Sequence, residues 1–152
     1  MTPSKTIEAF IKGYERCRLS AYMPTPNDKP TIGWGSTGPD IRMGMTWTQA
    51  QADARFSADL SRFAAGVEAE LGGAPTSQNQ FDAMVSLAYN IGLANFAKSS
   101  VLTNHKAGHY ATAALAFGLW NKQRNRATGQ LEVLGGLTKR RAAEAEIYRG
   151  AA

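Results

Sequence analysis

Glu15 and Thr31 are the residues whose types and placement suit the breaking of a covalent bond. Ile7, Phe10, Ile11 and Tyr14 fall at i, i+3, i+4 and i+7, one apolar face of a helix, and Glu15 follows at the edge of that stripe. A carboxyl partly withdrawn from water holds its proton longer, as a general acid requires, whereas close arginines such as the flanking Arg16 and Arg18 act the other way. The plainer reading is a surface carboxylate in a helix-end ion pair with Arg18. Thr31 opens Thr31-Ile32-Gly33-Trp34-Gly35, a short strand whose glycines let another backbone or a ligand come close. As a β-branched residue it also simply suits a strand. Between the two lie Pro24, Pro26, Pro30 and the carboxylate of Asp28, which equally fits a turn residue bonding its own backbone. An acid mounted on a helix end, facing a threonine on a hairpin beside a shaping loop, is a bond-cleaving arrangement.

The elements that must hold these residues are mostly helices. Thr2-Pro3-Ser4 reads as the first helix start. Residues 20–45 form an irregular region with turns at Pro24 to Lys29 and at Gly38-Pro39-Asp40, and two or three short strands. Thr46-Trp47-Thr48-Gln49 reads as a capping box opening a long helix with Phe56, Leu60, Phe63, Val67 and Leu71 on one stripe, stopped by Gly72-Gly73. Ser77 to Gln80 is a second capping box, and Phe81, Met84, Val85, Ala88 and Ile91 line the helix that runs to Gly92. A short helix near Ser100 to Ala107, another from about Tyr110 to Trp120, a glycine-marked basic loop and a last helix after Gly135-Gly136 complete the chain. The class is α+β, mainly α.

A length of 152 residues fits one domain, residues 1–152, with a small lobe at about 14–50 and a helical remainder. The composition, 43% hydrophobic and 19% charged, sets disorder aside. A formal charge of +5 implies attraction to something anionic: nucleic acid, lipopolysaccharide, or peptidoglycan with its peptide carboxylates. One cysteine, Cys17, excludes an internal disulfide and a cysteine cluster for zinc, and a buried packing role is expected of it. The N-terminus carries no apolar run of a secretory signal, and no stretch approaches the roughly 18 apolar residues of a membrane span, so synthesis in the cytoplasm is expected. His105 and His109 have the spacing of a helical metal pair, but no Glu stands between them and Gly108 argues for a helix end, so no metal is expected. Gly33-Trp34-Gly35 lacks the further glycine of a nucleotide loop. Lys122, Arg124, Arg126, Lys139, Arg140 and Arg141 suit a nucleic-acid patch, a solvated face paired with Glu144 and Glu146, or steering towards an anionic envelope, and the last is preferred.

The run Glu15, Arg18-Leu19, Ala21-Tyr22, Thr31-Ile32-Gly33-Trp34-Gly35 and Thr37 resembles the active-site signature of the phage-type lysozymes, the endolysins of glycoside hydrolase family 24. The segment from Asn79 to Leu102, Trp120 and the pattern Gly136-Leu137, Arg140-Arg141, Glu144 look like the same family. That family has an Asp or Cys about nine residues after the Glu; here Pro24 stands there, with Thr25 six before Thr31, because the loop is one residue longer. The resemblance implies a lysozyme-like fold, a small β-containing lobe and a larger helical lobe flanking a cleft. It implies hydrolysis of the β-1,4 bond between N-acetylmuramic acid and N-acetylglucosamine in peptidoglycan, for host-cell lysis. Glu15 would protonate the leaving oxygen, and Thr31 would hold the attacking water or orient a second carboxylate. Asp28 would be base or electrostatic stabiliser, with Thr25 a lesser candidate for positioning water. Tyr89, Asn90 and Gln123 would hold N-acetyl groups and sugar hydroxyls. Ser36 stands where the family often has histidine, which removes a structural ion pair. No cofactor is implied. A monomer is expected, with passage to the periplasmic wall through a partner such as a holin, and no specific nucleic acid or stable membrane insertion. A lytic transglycosylase, a non-catalytic peptidoglycan-binding protein and a basic nucleic-acid module stay open as rivals.

Overall fold

A computed structural model of the chain describes residues 1–25, 28–125 and 127–150. The expected turn residues Pro26 and Asn27 and the basic Arg126 lie outside the described residues. Helix α1, Lys5–Glu15, starts where the Ser4 side chain accepts from the Ile7 amide, and it buries Ile7 and Ile11. Ser4 also donates through its hydroxyl and its amide to Asp82, at 2.5 and 3.1 Å, which pins the start of α1 to the central helix. The chain then forms a two-stranded antiparallel hairpin, β1 (Arg18–Tyr22) with β2 (Thr31–Gly33), its register irregular between Arg18 and Tyr22.

Helix α2, Gln49–Leu71, is 23 residues and so about 34 Å long, and it links this small lobe to the rest. Its capping box is Thr48 with Gln51, not the Thr46 frame expected from sequence. Thr46 is held extended by a bridge to Ser20, and the Trp47 amide donates to the Leu19 carbonyl at 2.8 Å, so the helix cannot begin there. Gly72 ends α2 in the left-handed conformation, as expected.

Helix α3, Gln78–Ile91, opens on the Ser77–Gln80 capping box and is buried on every side from Phe81 to Tyr89. The others pack around it: α4 (Leu93–Ala97), α5 (Ser100–Lys106), α6 (Tyr110–Ala116) with a 3-10 turn at Phe117–Leu119, and α7 (Gly135–Arg149). The glycine-marked basic loop holds a second hairpin, β3 (Lys122–Arg124) with β4 (Leu131–Val133), which sequence reading missed together with α4. The result is mainly helical with two small antiparallel sheets. Among the described residues no helix is long and apolar enough to cross a membrane.

His105 on α5 is a core residue, not a metal ligand: Nδ1 lies 2.6 Å from the Tyr148 hydroxyl of α7 and Nε2 2.9 Å from the Thr76 hydroxyl. Burial holds its pKa below the ordinary 6.5, with the Pro75 carbonyl opposing to a lesser extent. The unfolded chain thus takes up a proton near 6.5 that the folded chain refuses. The site leaves stability whole above about pH 6.5 and erodes it as pH falls below that value. In thermal melts between about pH 5 and 8, the Tm of wild type falls on the acid side, and His105→Gln flattens that fall.

Candidate active site

Glu15 is the last residue of α1. The helix stops because Arg16 leaves helical geometry at φ 56° and ψ 148°, its amide still donating to the Lys12 carbonyl at 3.0 Å, and the chain turns into β1. Arg18 is not the partner of Glu15; its guanidinium lies over the Tyr22 ring at 4.4 Å. The partner comes from α7: Arg140 donates to Glu15 Oε1 at 2.7 Å, with the two side chains 5% and 17% exposed. On the other side stands Gly35 at φ 82°, where an added Cβ would overlap Oε2 and lie 3.1 Å from the carboxyl carbon. Glu15 is therefore gripped between a guanidinium and a backbone that only glycine can bring so near.

Arg140 is itself set by a buried charge cluster. Glu144 accepts from the Ser86 hydroxyl at 2.5 Å and from Arg141 at 3.1 Å, and Arg140 Nε lies 3.4 Å away. Arg141 Nε stands 2.6 Å from the other Glu144 oxygen, a charge pairing without hydrogen-bond geometry. Burial pushes the Glu144 carboxyl up and the Arg141 guanidinium down, and their mutual attraction opposes both shifts. Arg140 and Arg141 are buried, which corrects their place in an envelope-steering face; Lys122, Arg124 and Lys139 stay exposed. Glu146 pairs with Arg149 instead. The pattern Arg140-Arg141…Glu144 was visible in sequence, but nothing local tied it to Glu15.

The hairpin side is fastened to α2. The Ser36 hydroxyl donates to Asp59 at 2.7 Å, and Arg55 bridges Asp59 at 3.0 Å to Asp40 at 2.7 Å. The hydrogen bond from Arg55, with desolvation opposing it, holds the exposed Asp40 carboxyl below the usual range. An ion pair thus stands beside Ser36 after all, supplied by Arg55. The Trp34 indole donates to Asp53 at 2.8 Å. Tyr89, expected as a sugar contact, is buried and donates its hydroxyl to the Trp34 carbonyl at 2.6 Å. Its phenol is held well above the usual range, by burial first and then by the charge of Glu15. Cys17, expected to be buried, is half-buried, its sulfur accepting from Gln49 at 3.6 Å.

Asp28, Asn90 and Gln123 come together on the wall of a cleft of about 410 Å³, with Trp120 and Lys122. Glu15, Thr31 and Tyr89 are not on that wall. Gln123 also borders a neighbouring hollow of about 280 Å³ that includes Thr25. Asp28 serves its turn: Oδ1 accepts from the Lys29 amide at 2.9 Å and Oδ2 from the Thr25 hydroxyl at 3.4 Å. Thr31 is buried and donates to the Lys29 carbonyl at 3.0 Å, leaving its oxygen free to accept. Trp120 and Lys122 were not picked out as cleft residues from sequence; their signals were the family resemblance at Trp120 and an aromatic beside a basic loop.

A small β hairpin bearing one wall, a helical body bearing the other, and a glutamate clamped at the end of the first helix define the lysozyme-like class. The endolysin from Escherichia coli O157:H7 phage FAHEc1 shares this architecture at a TM-score of 0.87 and 36% identity, over 100% of this chain and 96% of that one. The muramidase domain of SpmX from Asticaccaulis excentricus does so at 0.83 and 34% identity, over 95% of each. Residues 12–144 match the phage lysozyme family, and the chain belongs to it. The endolysin of Lactococcus phage c2 is 42% identical over 141 residues, 91% of this chain and 56% of the relative. That of Acyrthosiphon pisum secondary endosymbiont phage 1 is 36% identical over 142 residues, 93% and 94%. The chain spans about half the length of the Lactococcus phage relative.

Proposed function

We propose that this chain is an endolysin that hydrolyses the β-1,4 bond between N-acetylmuramic acid and N-acetylglucosamine in bacterial peptidoglycan. The observation that carries this is the Glu15 carboxyl held between Gly35 and Arg140 at the end of α1. Glu15 gives its proton to the leaving oxygen, and Arg140 holds the carboxylate left behind. Thr31 accepts a hydrogen bond from the attacking water, which gives up its second proton to solvent as its oxygen bonds the anomeric carbon, and solvent returns a proton to Glu15 for the next cycle. Asn90, Gln123 and Trp120 seat the amide-bearing sugars, and Lys122 suits an anionic strand. Asp28 acts from the cleft wall as an electrostatic stabiliser of the cationic transition state, with Thr25 fixing its orientation. Residues 1–152 work as one monomeric catalytic unit. The kinship with endolysins supports synthesis in the host cytoplasm and action at the periplasmic wall after release through a holin-type partner.

Digestion of purified Gram-negative peptidoglycan, read by mass spectrometry, tests the reaction. Reducing muropeptides are the expected products. Anhydro products would replace hydrolysis by transglycosylation, and binding without any product would remove the enzyme reading altogether.

A further inference from the structure

Arg16 combines φ 56° with ψ 148°, and among the described residues it is the one non-glycine residue with positive φ. With an extended ψ, that φ crowds the Cβ of any L residue against its own backbone, and the region is essentially left to glycine. Glycine would make the same turn without strain. An arginine here therefore costs stability, and its side chain gives none back. It is exposed and takes part in no ion pair or side-chain hydrogen bond among the described residues. Its neighbours are already satisfied elsewhere, Glu15 by Arg140 and Arg18 by Tyr22. Arg16 stands one peptide bond after Glu15, at the junction where α1 gives way to β1.

A strained backbone that persists beside a reactive carboxyl, bearing a cation with no internal partner, points to a partner outside the protein. A guanidinium fits a carboxylate with two parallel hydrogen bonds. We infer that Arg16 is a specificity-determining residue that receives a carboxylate of the glycan strand next to the bond being cut. The inference rests on the peptidoglycan reading above. That carboxylate has two possible sources: the stem peptides of an intact strand, or the lactyl group of muramic acid, which is free only where the peptide has been removed.

The test uses the full chain as wild type, Arg16→Gln and Arg16→Gly, on soluble peptide-bearing strands and on strands stripped by an amidase. Tm, KM and kcat are recorded, with Kd for the same strands by fluorescence anisotropy, which does not require cleavage. Arg16→Gln keeps the strain and loses the cation: its Tm stays near wild type, while KM and Kd rise about 5–20-fold with kcat little changed. Arg16→Gly loses both: the same rise in KM, with a Tm about 2–8 °C above wild type. The difference from wild type narrows with added salt, which a merely structural role would not do. A loss confined to peptide-bearing strands assigns the stem carboxylate, and one confined to stripped strands the lactyl group. Unchanged KM and Kd on both substrates overturn the inference, as does an Arg16→Gly variant that melts no higher than wild type. A wild type that cuts neither substrate sinks the hydrolase reading instead, and the Kd comparison still decides Arg16; if wild type does not bind either, both fall.

Discussion

Glu15→Gln leaves the protein folded and slows the release of reducing ends from peptidoglycan by about 10²- to 10⁴-fold. The amide has nearly the shape of the carboxyl, so its oxygen still accepts from Arg140 Nη1, which is 2.7 Å from Oε1 in the parent. What disappears is the transferable proton. The leaving sugar oxygen must then depart as an alkoxide or take a proton from water, and neither matches an acid already held in place. The comparison is a rate measured alongside a melting curve, because a variant that unfolds would mimic the result. A folded Glu15→Gln protein within threefold of wild type would place the proton donor on another residue.

Glu144→Ala has the largest expected effect on stability. The wild-type carboxylate is 0% exposed and faces Arg141, also 0% exposed, and Arg140 at 5%. Removing it strands two buried guanidinium groups, leaving Arg140 with Glu15 and Arg141 with the Trp120 carbonyl at 3.4 Å, and breaking a buried pair in this way costs about 3–5 kcal/mol. For a chain of this size that is a fall in Tm of roughly 6–20 °C, read by calorimetry. The two-arginine-one-glutamate cluster would not be missed in the same way if replaced whole by apolar residues of similar volume. Such a swap is often neutral for stability, yet here it would leave Glu15 without its partner. Stability and activity would then separate, the sign that the cluster is kept for what Arg140 does. A Tm loss of less than about 1 kcal/mol equivalent for Glu144→Ala would mean that water reaches the cluster.

What the sequence made legible was local physics. The stripe of α1 through Ile7, Phe10 and Ile11, the Ser77–Gln80 box and the Gly72 stop each depend on residues within a few positions of one another and stand as read, whereas Tyr14, expected on the same stripe, is exposed. The start of α2 was misread because Thr46-Trp47-Thr48-Gln49-Ala50-Gln51 offers two frames of the same capping pattern. Only the distant strand β1, through Leu19 and Ser20, decides between them. Five residues of α4 and three-residue strands at β3 and β4 are too short to show a period. Glu15 could be singled out from its neighbourhood, but not its partner, since nothing near position 140 distinguishes a buried arginine from a solvated one. Tyr89 was placed in the cleft, but it is the last residue of the enclosed stretch of α3, Phe81 to Tyr89, and the cleft wall begins at Asn90. For Asp28 the turn chemistry and the cleft position turned out to be compatible, since its two oxygens serve the turn while the residue lines the wall.

The clamp on Glu15 also has a place in time. The carboxylate and the guanidinium that holds it are 125 positions apart in the chain. At about 5–20 residues per second, a ribosome takes roughly 6–25 s to go from one to the other, and α7 must then leave the exit tunnel and dock. Throughout that interval the nascent chain carries its acid without the arm that fixes it. On the proposed reading, cutting capacity accumulates with finished molecules and not with growing ones, and a translation product that stops before position 140 holds Glu15 without its clamp.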